Sequence, residues 1–523
     1  MGTKNFSNAN DLITFSRSSA GTALRKIAYG SELVTNGTFD TDISGWTTQA
    51  GGSTFTVSSG QLTISRSAVD PGYVYQTIST TAGNVYYVTF GVIDNGPIDL
   101  RVGTSPAGLQ ITSSGIKSSA GTYTLAFVAT GASTYISLVN TSYSTSFTID
   151  NISVKEVLFD DASGDLTLFN HPADIPRIEY DADGNVLGLL VEESRTNLVT
   201  YSEERNQWTK GTIGVTDGAL SINGLSFSLL EAGLLSTSQI TIGVSVSPGA
   251  TVTYSDYVKA GTSLLSRHGV FDSVNSWAGY VDVGWSSGVP STSASSGASN
   301  IEYEDIGNGV YRISFSVTIN ASPGGITFHT HPDRNATGLT LYVSGAQLEA
   351  GAFPTSYIPT DGATATRSAD VASIPVADFG YNQSVGSVVV EASTVSTAQS
   401  NHTDLRIKSS NGGFPVTDSG SKVGNFAAGS YVVYAPQTSV LMKIDSVITE
   451  KQAYKAAYAI KENDAAVCVD GSSVVTDTAT TFAAFPASVF EIGKGANYLN
   501  GHIKSIKYFP RKLTNAQLQE LST

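Results

Sequence analysis

Two short clusters in this sequence have the residue types and spacing to do chemistry. The first is Trp277, Tyr280 and Trp285, set among Gly and Ser in SVNSWAGYVDVGWSSG. Flat aromatic rings stack on sugar faces, and a loop-like setting would leave them accessible. Spacings of three and five, however, do not put all three on one face of a regular strand. Core or subunit-interface packing is therefore the competing reading. The second cluster is His329-Thr330-His331. Residues two apart on a strand point the same way, so both imidazoles could meet one metal ion. Polar strand histidines without a metal are also common.

Other motifs read more plainly. Asp181-Ala182-Asp183-Gly184-Asn185 opens like a calcium loop. The twelfth position of such a loop falls on Glu192, beyond an apolar run that reads as strand, so a turn with Gly184 at positive φ is expected. Trp46 and Trp208 each follow the first strand of a module. A repeated position favours core packing over two identical sugar platforms. Glu192 and Glu193 are adjacent and would face opposite sides of a strand, which is wrong for an acid/base pair. Glu302 and Glu304 share a face but read as a solvated edge. No Gly-x-Ser-x-Gly, His-Glu-x-x-His or phosphate loop is present, so no enzyme is expected.

The elements that would carry these residues are strands. The 523 residues include 52 glycines, and only 14% are charged. Val, Ile, Thr and Tyr fill short alternating runs cut by Gly, Asn, Asp and Pro, the pattern of an all-β protein. The length implies about three or four domains. A net charge of −15 argues against nucleic-acid partners. One cysteine, Cys468, allows no intrachain disulfide. No apolar run is long enough to span a bilayer, and MGTKNFSNANDLITF has no apolar signal core. Synthesis in a cytoplasm followed by assembly into a particle is the setting this predicts.

Along the chain, residues 1–30 hold an arm with a strand at Leu12–Phe15 and the patch Phe15-Ser16-Arg17-Ser18-Ser19. Residues 31–157 open with Thr35-Asn36-Gly37-Thr38-Phe39-Asp40 and Gly45-Trp46, and close with Asp150-Asn151-Ile152-Ser153-Val154. These ends resemble galactose-binding-like jelly rolls of the carbohydrate-binding kind. Residues 158–195 hold a hairpin joint, Arg177–Tyr180 returning through Val186–Val191. Residues 196–360 read as a second jelly roll ending on Ala346-Gln347-Leu348-Glu349-Ala350-Gly351, then the proline-bracketed Pro354–Pro359. Residues 361–523 resemble a concanavalin A-like (laminin-G-like) jelly roll. Its tail, Asn500-Gly501-His502-Ile503 through Leu518, carries one short C-terminal helix with a Thr514/Gln517 capping box. The expected fold is all-β: serial β-sandwich or jelly-roll domains with that single helix.

The hairpin, the Ala-Gln-Leu-Glu-x-Gly ending with its Pro-Thr-Ser-Tyr-Ile-Pro segment, and the C-terminal tail together resemble tail-fibre-type virion proteins of bacteriophages and prophages. The resemblance covers most of the chain from residue 160 onward. It implies a tail- or head-fibre protein on the virion that attaches to host-surface polysaccharide. Partners would be a host glycan and other virion proteins, in a homotrimer, with neither nucleic acid nor membrane insertion. No cofactor is required, although sugar-binding jelly rolls often hold a structural calcium. In a trimer whose axis passed His329 and His331, three copies would offer six nitrogens to a metal. The alternatives are a purely structural decoration or connector protein, and a polysaccharide-degrading enzyme with binding modules. In such family members the Phe-Ser-Arg patch comes shortly before the hairpin. Here about 150 residues separate them, so residues 31–157 read as an insertion, with Leu12–Ser19 pairing with the hairpin. Deleting residues 31–157 should leave the remainder folded by circular dichroism and protease resistance. Collapse of the whole chain would refute the split.

Overall fold

The computed structural model describes residues 13–49, 51–67, 72–94, 96–234, 237–382, 384–395, 402–409, 412–419, 431–434, 440–444, 448–449, 451–479, 488–494 and 497–523. Residues 1–12, including Leu12 of the expected first strand, lie outside that set. The fold is all-β, built of serial two-sheet sandwiches, with one α-helix, Asn515–Leu521, among the described residues. The chain divides into two compact units. One is Lys26–Asp165; the other is Met1–Arg25 with Leu166–Thr523.

Within 26–165, strands such as Val85–Val92 alternate between buried and half-buried residues. That period-2 pattern gives each strand one apolar face. Gly121–Val128, Val85–Val92 and Thr145–Phe159 are neighbours in one sheet. Tyr73–Ser79, Ser133–Asn140 and Ile98–Gly103 are neighbours in the other. The core between them includes Phe39, Trp46, Leu62, Ile64, Phe90 and Phe147. Trp46 is buried against Phe39 and donates its indole N–H to the Asn36 carbonyl at 3.1 Å.

The larger unit holds two sandwiches. In the first, the sheet Thr209–Lys210, Ile240–Val244, Ile326–His331, Leu265–Asp272, Ser276–Ser286, Val289–Ser296 shares a core with the sheet Ile213–Ile222, Leu225–Ala232, Thr340–Ala350, Thr251–Ala260, Tyr311–Thr318, Ala298–Asp305. Trp208 is buried there, edge-on to Phe328. The second sandwich contains the hairpin. Ile178–Tyr180 and Val186–Val191 extend the sheet Gly501–Phe509, Val385–Thr394, Tyr454–Lys461, Ala465–Val469, Val475–Asp477. The hairpin is thus part of the C-terminal jelly roll and not a separate joint module. Its sheet neighbour is not Leu12–Ser19 but the C-terminal strand, with Leu189 opposite Ile503 and Val191 opposite Gly501. Thr14–Ser16 instead pairs with Val371–Pro375 in the facing sheet. The turn itself is as read. Asp181 Oδ1 accepts the Asp183 and Asn185 N–H groups at 3.0 and 2.8 Å, and Gly184 has φ +79°. The C-terminal helix is capped by Thr514, whose hydroxyl accepts the Gln517 N–H while Gln517 bonds back. Leu518 packs on Val389, Ala457 and Leu513.

Buried charges tie these segments together. Arg17, Arg177 and Arg367 are at most 1% exposed, and so is Asp370. Asp370 meets Arg17 Nη1 at 3.1 Å, and its other oxygen meets Arg177. Glu192, 3% exposed, meets Arg177 at 2.9 Å and Arg367 at 3.4 Å. Ser356 adds two 2.7 Å bonds to Glu192, from its N–H and its hydroxyl. The proline-bracketed segment is therefore a buried strap, with Thr355 and Tyr357 each 2% exposed. Arg17 and Arg177 also donate to the Pro172 and Thr22 carbonyls. Burial pushes the Glu192 carboxyl up, but Arg367, Arg177 and the Ser356 bonds outweigh it and hold the acid well below the usual range. A folded-state value that is depressed gives stability above the unfolded value of 4.5, lost as pH falls. Glu192→Gln should cost about 3–5 kcal/mol in urea unfolding at pH 7. The difference from wild type should shrink steadily below about pH 4.5.

Candidate functional site

The outer face of the Thr209–Ser296 sheet gathers residues from three neighbouring strands. Ile326–His331 alternates Ile326, Phe328 and Thr330 inward, which leaves Thr327, His329 and His331 outward. In Leu265–Asp272 the inward residues include His268 and Val270, so Arg267, Gly269 and Phe271 face outward with the histidines. Ser276–Ser286 puts Val281, Val283 and Trp285 in the core and Tyr280 and Asp282 outside. Trp277 joins the outer set because Ala278 is an extra residue. Gly279 pairs with Val270, yet Trp277 pairs with Phe271. That β-bulge reverses the alternation, so residues three apart share a face.

The resulting cluster is closely packed. Trp277 lies across Gly269, where a Cβ would fall 2.6 Å from its ring. Its centroid is 5.5 Å from Tyr280, 5.4 Å from Phe271, 5.2 Å from His329 and 6.0 Å from His331. The Arg267 guanidinium sits 3.8 Å from the Tyr280 centroid and 5.4 Å from that of Trp277. It is held there by two bonds to Asp282, at 2.6 and 2.7 Å. Trp277 and Tyr280 are half-buried, so part of each ring meets solvent. Trp285 is not on this face. It is 6% exposed, and its indole N–H donates to Ser266 at 3.0 Å within the core.

His329 and His331 lie on the same face, with ring centroids 6.2 Å apart. The His329 Nε2 meets the Thr327 hydroxyl at 2.6 Å, while its Nδ1 has no hydrogen-bond partner. Neither ring nitrogen of His331 has a partner within hydrogen-bonding geometry, although the ring is 3% exposed and lies near the Ser238 backbone. The pair offers a metal two nitrogens, and Asp282, on the same face, is taken by Arg267. Among the described residues no group of three or more His, Cys, Asp or Glu side chains stands ready to hold a metal. What the face can do is stack on a planar or ring-shaped ligand and hydrogen-bond its edge.

A second feature is a cavity of about 250 Å³ lined by Glu179, Asp181, Tyr257, Arg312, Ser393 and His502, among others. His502 bonds Glu179 at 2.6 Å and Ser393 at 3.2 Å. The row has the composition of a hydrolytic triad. Ser393, however, sits in an extended strand directly opposite His502, not on the sharp turn that exposes a nucleophile. Nothing local in the sequence marks these three, because each comes from a distant segment. Arg267 and Asp282 were missed for a related reason: the spacing of fifteen becomes a contact only through strand register.

No family model matches the chain, and no curated protein matches it. Solved structures that align with the chain include the tandem CBM22-1-CBM22-2 domains of Paenibacillus barcinonensis Xyn10C, at 12% identity and TM-score 0.21, covering 63% of this chain and 100% of that one. Trypanosoma rangeli sialidase aligns at 11% identity and TM-score 0.24, covering 99% of this chain and 95% of that one. Its complex with the inhibitor DANA gives 11% and 0.25, covering 97% and 94%. Superpositions this loose carry no argument about the ligand.

Burial lowers the His329 pKa to about 4. Burial, with help from Arg334, His329 and Arg267, lowers that of His331 to about 3. Folded-state values depressed below 6.5 mean that both rings stabilise the fold when neutral. That contribution is full above about pH 6.5 and lost as pH falls through 4 and 3. Urea unfolding of His331→Phe should therefore show a shallower loss of stability between pH 6.5 and 4 than wild type does. Equal slopes would refute the buried-neutral assignment.

Proposed function

We propose that this chain is a non-catalytic virion-surface protein of tail- or head-fibre type that holds host polysaccharide on the sandwich that carries Trp277. The observation that carries the binding reading is the Trp277–Tyr280–Arg267 platform. A half-buried indole braced by Gly269 and a tyrosine capped by an ion-paired arginine make a rigid, ordered surface. Little side-chain freedom is left to lose on binding, which favours affinity. Sugar rings stack on such aromatic faces. The particle setting rests on the motif resemblance of the hairpin, the Ala346–Pro359 segment and the C-terminal tail. Single-site affinity is modest in this reading and is raised by several copies acting together, as in a trimer.

Trp277→Ala is the decisive change. Binding of the purified chain to host-surface polysaccharide should weaken at least tenfold, about 1.4 kcal/mol, with the melting temperature little altered. Adsorption of particles carrying the variant should fall in parallel. Two results would displace the reading. Undiminished adsorption with no glycan affinity at any valency would favour a connector role, with this face covered by another copy or another virion protein. Shortening of the polysaccharide on incubation would favour an enzyme.

A further inference from the structure

The unit Lys26–Asp165 carries an aromatic surface of its own, apart from the Trp277 platform. It lies on the sheet Thr47–Gln49, Tyr73–Ser79, Ser133–Asn140, Ile98–Gly103, Thr112–Ser113. Val74, Ile136, Leu138 and Leu100 point from these strands into the core. The alternate positions, Tyr73, Tyr75, Thr77 and Tyr135, therefore face outward. Tyr135 is opposite Thr77, while Thr47 and Gln49 are opposite Tyr75 and Tyr73, so all six share that face. The rings form a row, with centroids 6.1 Å apart for Tyr73 and Tyr75 and 5.8 Å apart for Tyr75 and Tyr135. All three tyrosines are half-buried, and Thr47, Gln49 and Thr77 are exposed. The loop after Gly103 covers the neighbouring part of the face. Ala107 donates its N–H to Ser137 at 2.9 Å, and a Cβ on Gly103 would fall 2.7 Å from the Gly108 carbonyl. Ser137 and Val139 are buried, which leaves the tyrosine row and its polar neighbours as the open part.

The chemistry of this row selects among ligands. The five strands contain one acid and one base, Asp99 and Arg101, and these pair at 2.8 Å. A sheet with no unpaired cation has nothing to hold phosphates, which argues against single-stranded nucleic acid despite the rings. A stable protein interface has an apolar centre, whereas Thr47, Gln49 and Thr77 are polar. Successive rings are tilted by 45° and 47°, so one flat ligand can cover a single ring but not three. A chain of linked sugar rings turns at each linkage and can meet the tyrosines one after another.

We propose that this face is a separate saccharide site for an uncharged polysaccharide, with Tyr73, Tyr75 and Tyr135 each taking one sugar ring along a run of three. The site goes beyond the Trp277 reading and does not depend on it. Stacking on the rings supplies the attraction. Thr47, Gln49, Thr77 and the phenol hydroxyls supply donors and acceptors for sugar hydroxyls at the ring edges. Because each tyrosine adds its own contact, affinity grows with chain length until the row is filled.

The test uses the full chain carrying W277A, so that the outcome does not hinge on the Trp277 platform. The probes are oligomers of xylose, glucose, mannose and galactose, graded in length from a single sugar upward, with oligogalacturonates as the charged control. At least one neutral series should bind, tightening roughly tenfold or more from the single sugar to the trisaccharide and levelling beyond it. Adding Y75A should remove most of that gain, while Y75F, which keeps the ring, should retain it. Adding Y135A, at one end of the row, should move the levelling point from three sugars to two, with the melting temperature little altered. Four results would each overturn the proposal: no neutral series bound, no gain with length, binding untouched by both Y75A and Y135A, or a preference for the oligogalacturonates. None of these would bear on the Trp277 reading, which the wild-type chain tests separately.

Discussion

The bonds that Asp370 and Glu192 make with three buried arginines set the geometry of the larger unit. Each carboxylate holds segments that are remote in sequence: the arm at Arg17, the hairpin at Arg177, the strap at Ser356 and the strand end at Arg367. An ion pair sealed from water gains little net free energy, because desolvation opposes the attraction. It is costly to break one-sidedly, however, and its geometry is specific. The network therefore acts chiefly to fix how segments meet, while the apolar sandwich cores supply the driving force.

That division explains what the sequence could reveal. Alternating Val, Ile, Tyr and Thr made the strands plain, because burial of one face is a local, period-2 property. The Asp181–Asn185 turn and the Thr514/Gln517 cap were equally readable, since their bonds close within a few residues. The burial of Arg17, Arg177 and Glu192 was not readable, because partners such as Asp370, Thr22 and Ser356 lie 150 or more residues away. The hairpin was recognised, but its neighbours were not. Strand order depends on which edges meet in space, and nothing in Val186–Val191 names Gly501–Ile503.

The binding face shows the same limit at shorter range. Trp277, Tyr280, His329 and His331 were each visible as candidate residues. That they form one surface depends on the extra residue at Ala278 and on the register between three strands. Trp285 stands on the regular side of that bulge and so turns inward. A bulge is a one-residue event with no strong sequence mark, yet it separates a platform residue from a core residue within nine positions. Gly269 is the matching piece: only the absence of a side chain there lets the indole lie flat on the sheet.

The pairing of Leu189–Val191 with Gly501–Ile503 bears on biogenesis. The hairpin strand emerges from the ribosome about 300 residues before the strand that covers its edge. At translation rates of about 5–20 residues per second, that edge waits roughly 15–60 s for its partner. Until then its apolar backbone is an open template for strand addition by other nascent chains. The C-terminal sandwich is thus the last part to close, and its closing sets the pace at which the chain becomes safe from aggregation.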